Sequence, residues 1–197
     1  MLTNQTRNPL SVEATKRHLE LETPVISTRV ERLYDDVFGV GRRHKASYTF
    51  RDSIAQSRDL SWVAYEEGEL AGAIRYWPIA VGPSKRPALL LGPLAVASHR
   101  AGRGLGSLLM IKTLNLAARL GHSMILLVGD PGFYRRFGFL PASPWGFSMP
   151  GETRPERLQL LPLRQGQLTC GGEIERVQPV SATVLAWRHQ PVPAGRR

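Results

Sequence analysis

Three glycines spaced by single residues lie near the middle of the chain. They belong to Ala101-Gly102-Arg103-Gly104-Leu105-Gly106-Ser107, which follows an apolar stretch and precedes a run of helix-forming residues. Glycines let consecutive backbone N–H groups turn inwards, and the N-terminus of a helix carries the positive end of its dipole. The spacing therefore favours binding of a phosphate or pyrophosphate. The alternative is a plain glycine-rich turn.

Two common phosphate-binding motifs do not match this loop. A dinucleotide-binding fingerprint needs G-x-G-x-x-G, but the third glycine comes one position early, at Gly106, and Ser107 stands in its place. A P-loop needs Gly-Lys followed by Ser or Thr, which the segment lacks. His99, Arg100 and Arg103 nevertheless give the loop the positive charge that a ligand with several phosphate charges requires.

A second segment places a tyrosine where it could do chemistry. In Gly129-Asp130-Pro131-Gly132-Phe133-Tyr134-Arg135-Arg136-Phe137-Gly138-Phe139, the pair Asp130-Pro131 is typical of a helix N-cap and first helical position. Phe133 and Phe137 share the expected core face, and Tyr134 lies about 100° further round the helix. The phenol could therefore face a cleft. The alternative is a tyrosine at the edge of the core with its hydroxyl in water.

Hydrophobic periodicity predicts the elements that carry these two segments. The expected order is a strand over 18–25, a helix ending before Gly39, a short helical segment over 50–57, a hairpin of strands 62–65 and 70–81, a strand over 88–96, a helix over 105–120, a strand over 124–128, a short helix from Pro131 to Phe137, and two further strands between 140 and 186. Because proline cannot donate to a strand ladder, Gly92-Pro93 predicts a bulge or a local separation within strand 88–96.

The sequence segments LGPLAV, GRGLG and LVGDPGFYRRFGF resemble those of the GNAT acetyltransferase superfamily, and within it the bacterial YhbS-like predicted acetyltransferases. The resemblance spans about residues 19–185 and is strongest from Leu91 to Phe139. It implies an α/β (α+β) fold of the GNAT acyl-CoA N-acyltransferase type, with a mixed, mostly antiparallel central sheet that is splayed between two central strands and flanked by helices. It also implies an N-acetyltransferase, in which an amine attacks the thioester of acetyl-CoA directly.

The same resemblance assigns site residues. The expected coenzyme-binding residues are Leu94, Ala95, Val96, Arg100, Ala101, Gly102, Arg103, Gly104, Leu105, Gly106 and Ser107. Free backbone groups of Leu94, Ala95 and Val96 would bind the pantetheine arm, and the glycine loop would bind the pyrophosphate. Ala101 departs from the Gln or Arg of the family pattern, and Arg100 is the candidate substitute. Tyr134 is the expected general acid, since it occupies that position of the Y-x-x-x-G-F pattern.

The general base is not assigned by these residues, because strand 88–96 contains no carboxylate and no histidine. Deprotonation would use water or one of six unranked candidates, Asp35, Asp36, Glu66, Glu69, His99 and Asp130. The histidines have no ligand spacing and Cys170 stands alone, so we expect no metal.

The acceptor is not specified beyond a small-molecule or peptide amine. Trp145, Phe147 and Met149 form an apolar cluster that would either line an acceptor or acyl pocket or be ordinary packing. A longer acyl-CoA or an acidic acyl carrier protein as donor, a coenzyme-A-binding regulatory module without turnover, and a homodimer all remain open alternatives.

Composition sets the remaining limits. The chain has 197 residues and a net charge of +10, from 26 basic and 16 acidic residues, and its arginines are scattered. Because basic and aromatic residues are not clustered, nucleic-acid binding is disfavoured. We expect one domain over 18–186 between tails 1–17 and 187–197. The polar start, the lack of an apolar stretch of about 20 residues and the single cysteine predict a cytoplasmic protein without a membrane span.

Overall fold

The computed structural model describes residues 16–52, 54–164, 166 and 171–177. Within these residues nine strands form a sheet in the order β1-β2-β3-β4-β5-β8-β6, and β9 pairs with both β3 and β7. The strands are β1 Arg17–Leu21, β2 Trp62–Glu66, β3 Glu69–Val81, β4 Arg86–Val96, β5 Met124–Val128, β6 Leu140–Pro141, β7 Phe147–Ser148, β8 Leu158–Pro162 and β9 Gly172–Arg176. Only β4/β5 and β7/β9 are parallel pairs among the described strands. The expected mixed, mostly antiparallel sheet is confirmed.

Helices flank this sheet. The α-helices are α1 Ser27–Phe38, α2 Ala46–Thr49, α3 Leu105–Arg119 and α4 Pro131–Tyr134. The short 3₁₀ helices are Pro24–Ile26, Val40–His44, Arg58–Leu60, Ser98–Arg100, Arg135–Phe137, Ser143–Trp145 and Pro155–Arg157. None of the described helices is long and apolar enough to cross a membrane.

Three expected boundaries differ from the structure. The helical segment expected over 50–57 is wrong, because α2 precedes it and the backbone N–H of Ser57 bonds to the carbonyl of Tyr76 in β3 instead, at 2.8 Å. The first strand ends at Leu21, before the 3₁₀ turn that begins at Pro24. The part after residue 140 contributes four short strands where two were expected.

Most of the two expected tails lies outside the described residues. This holds for 1–15 of the predicted N-terminal tail, for the whole of 187–197, and for the end of the expected domain over 178–186. Arg17, which was assigned to the tail, instead begins β1 and pairs with Glu66 of β2.

Alternate residues of β3 face two different helical layers. The hydroxyl of Tyr76 lies 2.8 Å from Oγ1 of Thr113 on α3. Ala73 lies in the same buried cluster as α1, and the guanidinium of Arg75 contacts Glu31 of α1. Because side chains alternate across a strand, α3 covers one face of the sheet and α1 covers the other.

A bulge interrupts the pairing of β4 with β3. Ile74 pairs with Leu94 and Tyr76 pairs with Leu91, so Gly92-Pro93 together oppose the single residue Arg75. This bulge was predicted from the glycine and the proline, and it is confirmed.

The pairing of β4 with β5 is confined to two positions. Leu89 pairs with Ile125 and Leu90 with Leu126, and no pairing follows further along the two strands. Among the described strands, residues 94–96 of β4 therefore pair with β3 on one side and with no strand on the other. The local separation that the sequence predicts is confirmed, and it creates an unpaired strand edge inside the sheet.

A buried ion-pair network fixes α1 over the bulge. The Nε and Nη2 atoms of Arg75 donate to the two carboxylate oxygens of Glu22, at 2.7 and 2.6 Å, and Nη1 contacts Glu31. Tyr34 of α1 donates its hydroxyl to the carbonyl oxygen of Pro93 at 3.2 Å. These contacts hold α1 and the bulge as one unit.

Replacing Arg75 with methionine should lower the free energy of unfolding by about 3–5 kcal/mol, because the buried carboxylate of Glu22 loses its partner. Urea denaturation followed by circular dichroism measures this change. The double variant Arg75→Met/Glu22→Gln should recover part of the loss, since no buried charge is then left unpaired. Equal losses in the single and double variants would contradict this role of the pair.

Candidate active site

An open cleft of about 840 Å³ passes through the gap between β4 and β5. Its walls come from residues 91–96 of β4, the segment 100–107, the segment 128–136 that includes the end of β5 and α4, the segment 38–51, and the segment 151–157. The ends of β4 and β5 meet in this cleft where their pairing has stopped. The unpaired edge of β4 is therefore accessible to a ligand.

Most of the expected site residues line this cleft. Those that do are Leu94, Val96, Arg100, Ala101, Gly102, Gly104, Leu105, Gly106, Ser107 and Tyr134. Ala95 directs its methyl group into the buried cluster beside α1, and the half-exposed side chain of Arg103 lies on Glu66. Ala95 and Arg103 can therefore contribute to the cleft only through their backbone atoms in this arrangement.

The glycine loop forms the entrance to α3. Gly102 and Gly104 have φ values of +75° and +87°, in the left-handed region that favours glycine. Gly104 is the N-cap of α3, and a Cβ built there would contact nothing within 4 Å. The N–H groups of the first helical turn have no acceptor within the helix. They stand beside open space in the cleft, as an anion-binding site requires.

Arg100 is held by the β2–β3 hairpin. Its Nη1 atom donates to Glu66 at 2.9 Å and its Nη2 atom to Glu69 at 3.2 Å, while its buried Nε has no partner among the described residues. The candidate substitute for the missing family side chain thus shares its charge with two carboxylates in this structure.

Glu66 ties the loop to the hairpin. Its buried carboxylate also accepts from Nε of Arg17 at 2.7 Å and lies 3.4 Å from Nη1 of Arg103. Burial by itself raises the pKa of Glu66, but the hydrogen bonds from Arg100 and Arg17 outweigh this effect and the pKa lies below its ordinary value. A carboxylate stabilised in this way is a poor proton acceptor, so Glu66 serves to position the loop.

Asp130 alone among the six base candidates lines the cleft, where its carboxylate accepts from the N–H of Gly132 at 3.1 Å and caps α4. Asp35 accepts from Arg42 at 2.7 Å, and Glu69 binds Arg100. The remaining two candidates, Asp36 and His99, are exposed away from the cleft.

The ring of Tyr134 lies in the cleft wall and packs against one glycine and two aromatic residues. A Cβ built on Gly129 would lie 2.3 Å from Cε2 of Tyr134, so the ring occupies the space that this glycine leaves free. Phe133 and Phe139 pack edge-on against it, with ring centroids 4.9 and 5.8 Å away. Burial raises the pKa of Tyr134 to about 12, so its hydroxyl carries a proton at neutral pH.

Of the two alternatives for the cluster Trp145, Phe147 and Met149, the structure does not support the pocket. Phe147 and Met149 are buried in the core with Phe50, Trp145 is exposed, and none of the three lines the cleft. The packing alternative therefore describes Phe147 and Met149.

Sequence reasoning missed the opposite wall of the cleft. His44, Lys45, Tyr48 and Arg51 line it, together with Glu152 from the C-terminal part. The run Arg42-Arg43-His44-Lys45 is a signal that could have drawn attention to this wall, since it is a local concentration of positive charge in a chain of scattered arginines. Nothing in the sequence around Glu152 indicates its position.

In the described part of the chain, no group of three or more His, Cys, Asp and Glu side chains is arranged to hold a metal ion. The polar groups that line the cleft include backbone N–H groups, the Tyr134 hydroxyl, several cationic side chains and the carboxylates of Asp130 and Glu152.

Comparison with known proteins identifies the family. The family model described as "Acetyltransferase (GNAT) family" matches residues 27–139, which is more than half of the chain. The sequence is 31% identical over 74 residues to the uncharacterized N-acetyltransferase YhbS of Escherichia coli strain K12. That match covers 38% of this chain and 44% of the relative, so it spans less than half of the relative's length. The chain belongs to the GNAT acetyltransferase family.

Two solved structures share the fold. The Escherichia coli YhbS structure in complex with CoA has a TM-score of 0.72 and 22% identity, and the match covers 83% of this chain and 91% of that one. A GNAT family acetyltransferase from Brucella melitensis in complex with acetyl-CoA has a TM-score of 0.64 and 24% identity, with 82% and 96% covered. The expected GNAT-type fold is confirmed.

The Glu66→Gln variant should be less stable than the wild type at neutral pH, and this difference should disappear in acid. The folded protein lowers the pKa of Glu66 from its ordinary 4.5, so the carboxylate stabilises the fold fully above that pH. Its contribution is lost as the pH falls through the lowered folded value. Urea denaturation at a series of pH values measures the two unfolding free energies.

Glu69→Gln is the matched control, since the Glu69 side chain is 69% exposed and binds the same arginine. It should change stability little at any pH. If Glu66→Gln remained equally destabilising in acid, this would contradict the claim that the ionised carboxylate of Glu66 stabilises the fold.

Proposed function

We propose that this protein transfers the acetyl group of acetyl-CoA to a primary amine of a small molecule or peptide. The observation that carries the proposal is the cleft between β4 and β5, which joins an unpaired strand edge, a glycine loop at a helix N-terminus and a protonated tyrosine. The CoA and acetyl-CoA bound in the two similar structures support this choice of donor.

The donor binds along the α3 side of the gap. Its pyrophosphate accepts hydrogen bonds from the N–H groups at the start of α3, next to Gly102 and Gly104. The amide groups of its pantetheine arm pair with the free edge of β4 over 94–96, as an added strand would. This arrangement directs the thioester towards the Gly92-Pro93 bulge, between the two walls of the cleft.

The chemical step is attack of a neutral amine on the thioester carbonyl carbon. A C–N bond forms, the C–S bond breaks, and a backbone N–H near Leu94 stabilises the charge that develops on the carbonyl oxygen. Tyr134 donates a hydrogen bond and then its proton to the departing sulfur, which leaves as the thiol. The proton that the amine releases restores the phenol, so the reaction neither gains nor loses a proton overall.

The positive wall of the cleft helps to provide the neutral amine. Lys45 and Arg51 line it, and nearby cations lower the pKa of a bound ammonium group because they disfavour a second positive charge. Asp130 and Glu152, the carboxylates among the described lining residues, are available to accept the proton.

A cytoplasmic location stays a prediction from the sequence.

The Gly104→Leu variant should bind acetyl-CoA at least about tenfold more weakly than the wild type, because a side chain would occupy the phosphate site. Calorimetric titration measures the dissociation constant. Gly39→Leu is the matched control, since Gly39 also has a positive φ and open space around it but lies outside the cleft. The two variants should lower the melting temperature by similar amounts, but only Gly104→Leu should weaken the binding of acetyl-CoA. Equal affinity in the two variants would refute the loop assignment.

The Tyr134→Phe variant should lose about 10²–10⁴-fold in kcat while its affinity for acetyl-CoA stays unchanged, since only the departing sulfur needs the proton. Release of free thiol measures turnover. Tyr76→Phe is the control, because that buried hydroxyl bonds to Thr113 outside the cleft. A loss of donor affinity as large as the loss of turnover would exclude the general-acid role.

A further inference from the structure

The two walls of the cleft lie on opposite faces of the sheet. The glycine loop begins α3, which packs on the Tyr76 face of β3. Arg51 follows α2 and stacks over Trp77, which projects from β3 to the opposite face. A donor on the α3 side therefore leaves the wall around Arg51 for the acceptor. This step rests on the proposed function.

Arg51 is a partly buried cation whose hydrogen bonds are not completed by the described residues. Its Nε and Nη1 atoms are buried and have no hydrogen-bond partner among the described residues. Its Nη2 atom lies beside Gly92, since a Cβ built on that glycine would be 3.3 Å away. Unpaired buried donors are costly and rare in proteins, so this guanidinium is suited to a ligand.

Two aromatic rings contact this guanidinium. The centroid of the Tyr48 ring is 4.2 Å from Cζ of Arg51, and that of Trp77 is 4.9 Å away. Burial lowers the pKa of Arg51 only to about 10, so the side chain remains positively charged at neutral pH. A planar, oriented guanidinium matches the two oxygens of a carboxylate better than it matches a neutral group.

The other charges of this wall also favour an anion. Arg42 is neutralised by Asp35 and Glu31 and donates to the hydroxyl of Tyr48, whereas Arg51 forms no ion pair with any described carboxylate. The further charged residues that line the cleft within the segments 38–51 and 151–157 are Lys45, Glu152, Arg154 and Arg157. Positive charge therefore remains in excess around Arg51.

We propose that the acceptor is an amine that also carries a carboxylate, and that Arg51 binds this carboxylate. The amino group then reaches the thioester near the Gly92-Pro93 bulge, which Arg51 adjoins. Arg51 acts in this way as a determinant of acceptor specificity.

Substrate pairs test the proposal on the unaltered protein. With saturating acetyl-CoA, thiol release is measured for 4-aminobutyrate, its amide, butylamine and 3-aminopropylphosphonate, and for glycine against glycinamide. The carboxylates should have kcat/KM values at least about tenfold above those of their amides, as expected for loss of a charged hydrogen bond. Equal or better use of the neutral amines would overturn the proposal. A preference for 3-aminopropylphosphonate over 4-aminobutyrate would show that the wall selects a phosphate-like group instead of a carboxylate. That result would also overturn the proposal.

Variants of Arg51 give a second readout that needs no turnover. The dissociation constant of 4-aminobutyrate from the CoA-saturated protein is measured by NMR titration. It should rise at least about tenfold in Arg51→Gln and be partly restored in Arg51→Lys, which keeps the charge but loses the fork. Arg43→Gln is the control, since Arg43 is exposed in the same segment and does not line the cleft. An unchanged constant in a folded Arg51→Gln protein would refute the assignment.

The failure of this inference differs from the failure of the proposed function. If acetyl-CoA does not bind, the proposed function fails. If acetyl-CoA binds and amines are acetylated without preference for a carboxylate, only the role of Arg51 fails.

Discussion

The site depends on the short pairing between β4 and β5. Two residue pairs hold these parallel strands together, and beyond Leu90 and Leu126 each strand follows its own direction. A strand with one free edge normally promotes aggregation, because its unpaired N–H and C=O groups can form hydrogen bonds with another chain. Here that edge lies inside the sheet and faces the cleft, so a ligand with amide groups can complete it without the chain aggregating through it.

Two ion-pair clusters fix the elements that form the cleft wall on the β4 side of this gap. In the first, Arg75 of β3 joins Glu22 to α1 over the bulge. In the second, Glu66 of β2 binds arginines from β1 and from the segment of the glycine loop. Breaking either buried carboxylate from its arginines leaves an uncompensated charge, which is strongly unfavourable. The clusters therefore specify where α1 and the loop stand relative to β4.

The features that could be predicted from the sequence are those that depend on a few neighbouring residues. Glycine spacing, the Asp130-Pro131 helix start and the Gly92-Pro93 irregularity each act over a few residues, and the structure has the loop, α4 and the bulge where they were expected. The cationic wall was missed because it forms only when residues 38–51 fold back over the sheet, a long-range contact without a periodic signal. For the same reason Arg100 was expected at a phosphate, whereas tertiary packing places it on Glu66 and Glu69.

Amide hydrogen exchange of the full chain, with and without saturating acetyl-CoA, tests the central claim that the free edge of β4 and the glycine loop hold the donor. The account predicts slower exchange on binding at residues 94–96 of β4 and 104–107 at the start of α3, with β1 and β2 unchanged. Binding that leaves both of these segments unprotected, or that protects a different surface, would contradict it.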